Sequence, residues 1–388
     1  MIHNRDQLSA LVMLSPSLVL LGIFVYGFIA QTISTSLTNW GESRARPALK
    51  EGITKTYVGL QNYQNLMTDI TEFSFRSSLI NTFFFTLFFL VACIIMGFLL
   101  AVLVDQKVRG EGIFRTIFLF PMSISFVVTG TIWGWLLQQK GGINILPEKL
   151  LGLKPLSYRW TSSDRIIWGF QWSDVPRYLT YIGVALLLYS VASFGYQHWR
   201  RGTRYSRNWG ILWAVLGAFI LVYALGFWDH IWLPLDSPDI DKINGGYGYN
   251  TALSGILIAA VWQMSGYVMA LYLAGIRGIS DDLREAARVD GCSELQIYRY
   301  IVIPLLRPIT LSAIIILGHI SLKIFDLVFA MTGPDNNSTI VPGILLYTQA
   351  FRGNRFASGA AVAVVMLFLV SLVIVPYLWT TQRSEQKS

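Results

Sequence analysis

Charge is what this chain has least of. Only 13% of its 388 residues are Asp, Glu, Lys or Arg, against 54% apolar and 14% aromatic, and its mean hydropathy is +0.51. Soluble domains carry about 25% charged residues, so the composition points to an all-α, polytopic membrane protein and requires no soluble domain. Cysteine and histidine are equally scarce, at two and four. Cys93 lies in an apolar run and Cys292 in a polar loop, so no disulfide is expected, and no residue set has metal-ligand spacing. No G-x-x-x-x-G-K phosphate loop occurs, and no Ser, His and acidic residues cluster as a nucleophile would require. No enzyme activity, cofactor or metal is therefore expected in this chain. Thirty basic residues against twenty-two acidic ones leave a net charge of +8. They are dispersed through loops between apolar runs, which membrane orientation explains better than a nucleic-acid partner.

Eight apolar runs are long enough to span a bilayer: Leu8 to Ile33, Leu79 to Val104, Thr116 to Leu137, Tyr178 to Tyr196, Trp209 to Trp228, Thr251 to Ile276, Ile309 to Met331 and Phe356 to Trp379. The first is longer than a signal-peptide core and lacks a strongly basic start, so a retained span is expected. Between the fourth and fifth lies QHWRRGTRYSRN, with four arginines and no acid. The loop after the fifth, DHIWLPLDSPDIDKINGGYGYN, has four aspartates and one lysine. Basic loops stay in the cytoplasm, so 197–208 is placed inside and 229–250 outside. Eight spans from a cytoplasmic start return the C-terminus to the cytoplasm. The expected organisation is a first span with an external loop over 1–77, a membrane domain over 78–380 and a cytoplasmic tail over 381–388.

The longest polar break in the second half, Arg277 to Pro308, is dense in helix punctuation. Ser280 can cap a helix whose first turn carries Asp281 and Asp282, where the positive end of the helix dipole favours acids. Gly291 supplies a left-handed stop. Ser293 and Gln296 have capping-box spacing for a second short helix toward Ile301, which Pro304 is expected to end. Within the first helix, Glu285 can pair locally with Arg288 at i, i+3.

At this stretch a family becomes recognisable. Glu285-Ala286-Ala287, then Asp290-Gly291, Ile301 and Ile303-Pro304 resemble the EAA loop of permease subunits of bacterial binding-protein-dependent ABC importers, of the sugar and polyol type. The family more often has Leu where Ile303 stands. VGLQNYQNL from Val58, RTIFLFPMSIS from Arg115 and GGIN from Gly141 resemble the same family. The resemblance implies a six-helix importer core, into which a helix pair at about 178–249 is inserted. It implies that Glu285, Ala286, Ala287, Asp290, Gly291, Ile301 and Pro304 form a coupling helix docked on an ATPase subunit, with Ala287 against that partner. It further implies a second permease subunit, two ATPase subunits that bind the ATP, an external solute-binding protein, a sugar or polyol as solute, and residence in the cytoplasmic membrane. An ion-gradient-driven secondary transporter is the alternative. It would place carboxylates at mid-depth and often shows paired repeats, whereas only Asp326 qualifies here.

Charges at bilayer depth cost about 3 kcal/mol or more. Two occur, Lys323 and Asp326. With Ser312 and His319 they follow helical spacing that would align them on one face, either lining a translocation path or neutralising each other. Gln263, Ser265, Tyr267 and Tyr272, near Trp262, offer amide, hydroxyl and aromatic groups suited to a sugar, though such residues also pack membrane helices.

Overall fold

The computed structural model describes residues 2–41, 55–68, 73–106, 110–170, 178, 181, 183–189, 217–218 and 247–385. Most of the inserted pair, the arginine loop between its members and most of the acidic loop that follows lie outside the described residues. Among the described residues the chain is nearly all helix. In order these are α1 (Ile2–Leu21), passing through a π turn into α2 (Phe28–Ser36); α3 (Gln61–Thr68); α4 (Phe73–Asp105); α5 (Glu111–Ser123); α6 (Phe126–Leu136); and α7 (Leu146–Leu151). A two-stranded ribbon, β1 (Ile166–Phe170) with β2 (Tyr247–Asn250), precedes α8 (Leu253–Arg277). Then come α9 (Asp281–Val289), α10 (Glu294–Ile297), α11 (Ile303–Leu305), α12 (Arg307–Leu322), α13 (Asp326–Thr332), α14 (Pro342–Tyr347) and α15 (Phe356–Glu385).

Packing divides the chain into two units. Met1–Asn62, Ser77–Arg165 and Asn250–Ser388 form one, and Tyr63–Arg76 with Ile166–Tyr249 the other. The first holds every element discussed below apart from α3, the first turn of α4 and the ribbon.

Among the described residues three helices are long and apolar enough to cross a membrane: Val12–Ser36, Ser74–Asp105 and Leu253–Arg277. The expected third span is not one helix. α5 and α6 meet at 99°, because Pro121 weakens the end of α5, Ile124 is extended (φ −84°, ψ 143°), and the Ser125 side chain caps α6 by accepting from the Val128 amide at 3.3 Å. A break inside a membrane leaves backbone groups that must find partners within the protein. Gln263 of α8 supplies one, its Nε2 donating to the Ile124 carbonyl at 2.7 Å. One turn along α8, Gly266 lets the backbone of α5 come close, since a Cβ there would lie 1.9 Å from the Phe118 carbonyl oxygen.

The expected seventh span is broken too. α12 stops at Leu322, and Lys323 (φ −114°) and Phe325 (φ −133°) leave helical geometry before α13 begins at Asp326. α13 packs tightly on α6, where a Cβ on Gly130 would fall 2.6 Å from the Ala330 Cβ. Small residues of this kind let membrane helices approach.

Pro304 does not end its helix. A π turn over Tyr298–Val302, in which the Ile303 amide donates to the Tyr298 carbonyl, carries the chain past it. The chain turns instead at Leu306, ahead of Pro308, with a bend of 63° between Glu294–Leu305 and α12. Pro308 lies in the first turn of α12, where a missing amide proton costs nothing.

Outside these helices, the motifs singled out in the sequence act as clamps. Asn62 Nδ2 donates to the Ser36 and Thr38 carbonyls at 2.7 and 2.6 Å. Buried Asn144 donates to the Tyr158 carbonyl and accepts from Trp160 Nε1, both at 2.9 Å.

Candidate functional site

The polar hairpin after α8 folds as its punctuation predicts. The Ser280 hydroxyl accepts from the Asp282 amide at 3.3 Å, opening α9. Gly291 takes φ +82°, and the two amides after the helix turn back, Gly291 N–H to the Arg288 carbonyl at 3.0 Å and Cys292 N–H to the Ala287 carbonyl at 2.9 Å. That is a Schellman stop, which needs a left-handed residue at this position. Gln296 then reaches back to Ser293, its Oε1 accepting from the Ser293 amide at 2.7 Å and hydroxyl at 2.9 Å. Arg288 pairs with Glu294 across the corner at 2.7 Å, rather than bonding Glu285. The bond from Arg288 holds the Glu294 carboxyl below the usual glutamate range, and the same bond raises the guanidinium.

One expectation about this hairpin is corrected. Ala287 is not on a free surface: it is 8% exposed and faces the chain's own packing. A nine-residue helix seated on the protein must turn one face inward, and Ala287 lies on it. Glu285, Ala286, Asp290 and Gly291 are exposed, Ile301 and Pro304 half-buried. Around them Leu283, Val289 and Leu295 stand out from the protein at 51%, 88% and 79% exposure.

Beneath the hairpin lies an acid–base cluster that sequence reasoning missed. Asp105 ends α4 and Glu111 begins α5. Arg284 of α9 bonds Asp105 at 3.1 Å, with both side chains mostly buried, and its second amino group donates to the Ile276 carbonyl at 3.0 Å. Arg277, the last residue of α8, bonds Glu111 at 2.6 Å and lies 4.0 Å from Asp105. Arg115 bonds Glu111 from one turn along α5 at 2.5 Å. Hydrogen bonding from Arg277, reinforced by Arg115, holds the Glu111 carboxyl below its ordinary range. The signal in the sequence was the pair of acids flanking a basic turn, DQKVRGEGIFR, between two apolar runs.

The intramembrane candidates do not form one site. Gln263, 2% exposed, is bonded to the α5–α6 break, with its Oε1 buried and without a partner among the described residues. Tyr272 is equally buried. Its hydroxyl donates to Thr310 Oγ1 at 2.9 Å, and its ring stands edge-on to Phe98 with centroids 5.6 Å apart, so it packs α8 against α12 and α4. Ser265 is buried and Tyr267 half-buried on α8. The stripe on the seventh run does not survive the break at 323–325. Ser312 is bonded to the carbonyl of Pro308 in its own helix at 3.1 Å, and His319 is half-buried. Lys323 and Asp326 are both exposed and form no ion pair with each other. The lysine stands at the C-terminus of α12 and the aspartate at the N-terminus of α13, the helix ends at which each charge is favoured.

Comparison with known proteins places this arrangement. Residues 192–386 match the family model described as the binding-protein-dependent transport system inner membrane component. A probable ABC transporter permease protein of Pyrococcus horikoshii is 31% identical, over 99% of both chains. The xylose/arabinose import permease protein of Haloferax volcanii is 26% identical over 93% of this chain and 84% of its own. Among solved structures, the fold is shared with a chain of a bacterial ABC transporter involved in the import of the acidic polysaccharide alginate. That chain has a TM-score of 0.59 at 16% identity, over 98% of this chain and 96% of its own.

Proposed function

Since the chain belongs to the family of binding-protein-dependent transport system inner membrane components, we propose that it is the permease subunit of an ABC importer for sugars or small oligosaccharides, driven by an ATPase that docks on the α9–α10 hairpin. The observation that carries the docking reading is the exposure of Leu283, Val289 and Leu295, at 51%, 88% and 79%, on a hairpin whose other exposed residues are mostly charged or capping ones. Large apolar side chains in that setting leave area that a partner can remove from water, at roughly 25 cal/mol per Å². Exposed Ala286 lies among them and permits close approach, while Glu285 and Asp290 rim the patch with charge. Gly291 and the Ser293–Gln296 cap keep the two short helices at a fixed angle.

The sugar assignment rests on relatives named for xylose/arabinose, alpha-glucoside and glucose import. A second permease subunit would complete the path, and an external binding protein would deliver the solute. ATP would be bound by the ATPase subunits. Within this chain, Ser265, Tyr267 and the free Oε1 of Gln263 are the groups suited to a sugar hydroxyl, since Tyr272 is committed to packing. His319, Lys323 and Asp326 stand near the break between α12 and α13, the kind of irregular backbone that membrane proteins tolerate where it is buried or lines a cavity.

Ala286→Trp tests the docking. The substitution meets no neighbour on its exposed face, so the chain should reach the membrane at its normal level and melt as the natural protein does, yet lose copurification of the ATPase and solute uptake. Ala287→Trp should instead unseat α9 from its own protein and lower thermal stability, with any loss of docking following from that. Normal copurification and uptake in Ala286→Trp would contradict the assignment.

A further inference from the structure

The acid–base cluster under the hairpin ties together elements that no short-range interaction joins. Asp105 and Arg284 are 179 residues apart, Glu111 and Arg277 166 apart. Asp105 closes α4, the longest helix among the described residues, and Glu111 opens the broken pair α5–α6. Arg277 closes α8, which holds that pair through Gln263, and Arg284 is carried by the hairpin itself. Tyr298 Oη, from the π turn after α10, lies 3.4 Å from the same Asp105 carboxylate. Helix α9 and the π turn after α10 thus meet the end of α4 at the Asp105 carboxylate, and Arg284 also meets the end of α8 at the Ile276 carbonyl, from which Arg277 reaches Glu111 at the start of α5.

The Asp105–Arg284 pair differs from the other contacts of the cluster. Its side chains are 12% and 14% exposed, whereas Arg277 and Arg115 are 42% and 41% exposed. Exposed pairs are screened and exchange partners with water, so they contribute little. A mostly buried pair is stiff, and removing one partner strands the other charge. The guanidinium of Arg284 is also held from behind by the Ile276 carbonyl, so the pair cannot swing without disturbing the last turn of α8.

We infer that Asp105 and Arg284 are positioning residues for transport: the pair is the joint through which displacement of the hairpin is passed to α4 and, through Arg277 and Glu111, to the α5–α6 break. This rests on the docking of an ATPase at the hairpin. Without the joint, the ATPase still binds the outer face of α9, but its movement is absorbed by slippage between hairpin and spans. The path then stays closed while ATP is consumed.

The test compares Asp105→Asn, Arg284→Gln and the double variant in the complete transporter reconstituted in vesicles, reading ATPase copurification, ATP hydrolysis and sugar uptake per ATP. Copurification should be normal in the double variant, where no charge is stranded, while uptake per ATP falls on the order of tenfold, the scale of a typical coupling between sites. A merely structural pair predicts the reverse, with the double variant returning to natural uptake per ATP once stability is regained; that result overturns the inference. Should the neutral variants fail to assemble, Asp105→Glu keeps the charge and lengthens the link by one methylene. Undiminished uptake per ATP in that variant, with normal assembly, would equally overturn it. If the ATPase fails to copurify even with the natural chain, the docking reading falls. If it copurifies and coupling is indifferent to the pair, only the joint falls.

Discussion

Replacing Gln263 by Leu separates a structural role from a solute-binding one, because the two predict different readouts. In the structure the Gln263 amide is the donor that satisfies the Ile124 carbonyl at a 99° break within the membrane. Leucine has nearly the same volume and fits the same buried site, so little packing is lost. The Ile124 carbonyl is left without its donor where water cannot replace it, which costs about 1–3 kcal/mol. Gly266→Ala attacks the same clamp sterically. Its new Cβ would lie 1.9 Å from the Phe118 carbonyl oxygen, a backbone atom, so α5 must shift, at a cost of about 1–3 kcal/mol by comparison with overpacked cores. The two sites are one turn apart on α8 and grip one element. The double variant should therefore lose less than the sum of the two, because a displaced α5–α6 pair has already given up the second contact. The assay is denaturant unfolding of the purified protein in detergent, with uptake measured in parallel. Natural stability in Gln263→Leu together with abolished uptake would refute the clamp and assign Gln263 to the solute path.

At the hairpin, Gly291→Val should distort the Schellman stop. A left-handed residue with a side chain costs roughly 1–2 kcal/mol and more when β-branched, while the Cβ itself would meet nothing within 4 Å. The expected result is a membrane-inserted protein with reduced ATPase copurification, checked on purified membranes. The pairs Arg288–Glu294 and Arg277–Glu111 should be insensitive to pH near neutrality. Both carboxyls are held below their ordinary range, so their contribution is present above the normal glutamate pKa of about 4.3 and is lost as pH falls through the lowered values. Copurification of the ATPase should therefore be level between about pH 6 and 8, well above the ordinary glutamate range; a loss across that interval would show that some other group controls docking.

The hairpin was legible because its signals are local. Ser280, Gly291, Ser293 and Gln296 act within a few residues of themselves, through caps whose geometry the chain cannot easily override. Which alanine faces outward was not legible, since Ala286 and Ala287 differ only by the face of α9 that rests on Asp105, a residue on a distant span. The breaks at Ile124 and at 323–325 were hidden for a similar reason: hydropathy reads an apolar run as one span. What permits the first break is a glutamine 139 residues away. The second was marked by Lys323 and Asp326, whose spacing also fits an unbroken face. Only the backbone shows that each charge stands at a helix end. The acid–base cluster joins residues that carry no signal singly, and Pro304 does not act as a stop because a π turn before it absorbs the lost hydrogen bond.

The central claim, that an ATPase covers the α9–α10 hairpin, can be read from the natural protein without substitution. The chain has two cysteines, and they differ: Cys93 is buried, whereas Cys292 is exposed in the turn directly after Gly291. A membrane-impermeant maleimide should label Cys292 in inside-out vesicles stripped of the ATPase, and labelling should fall sharply when the ATPase subunits are added back. Equal labelling with and without the ATPase, or labelling only from the external side, would contradict the account.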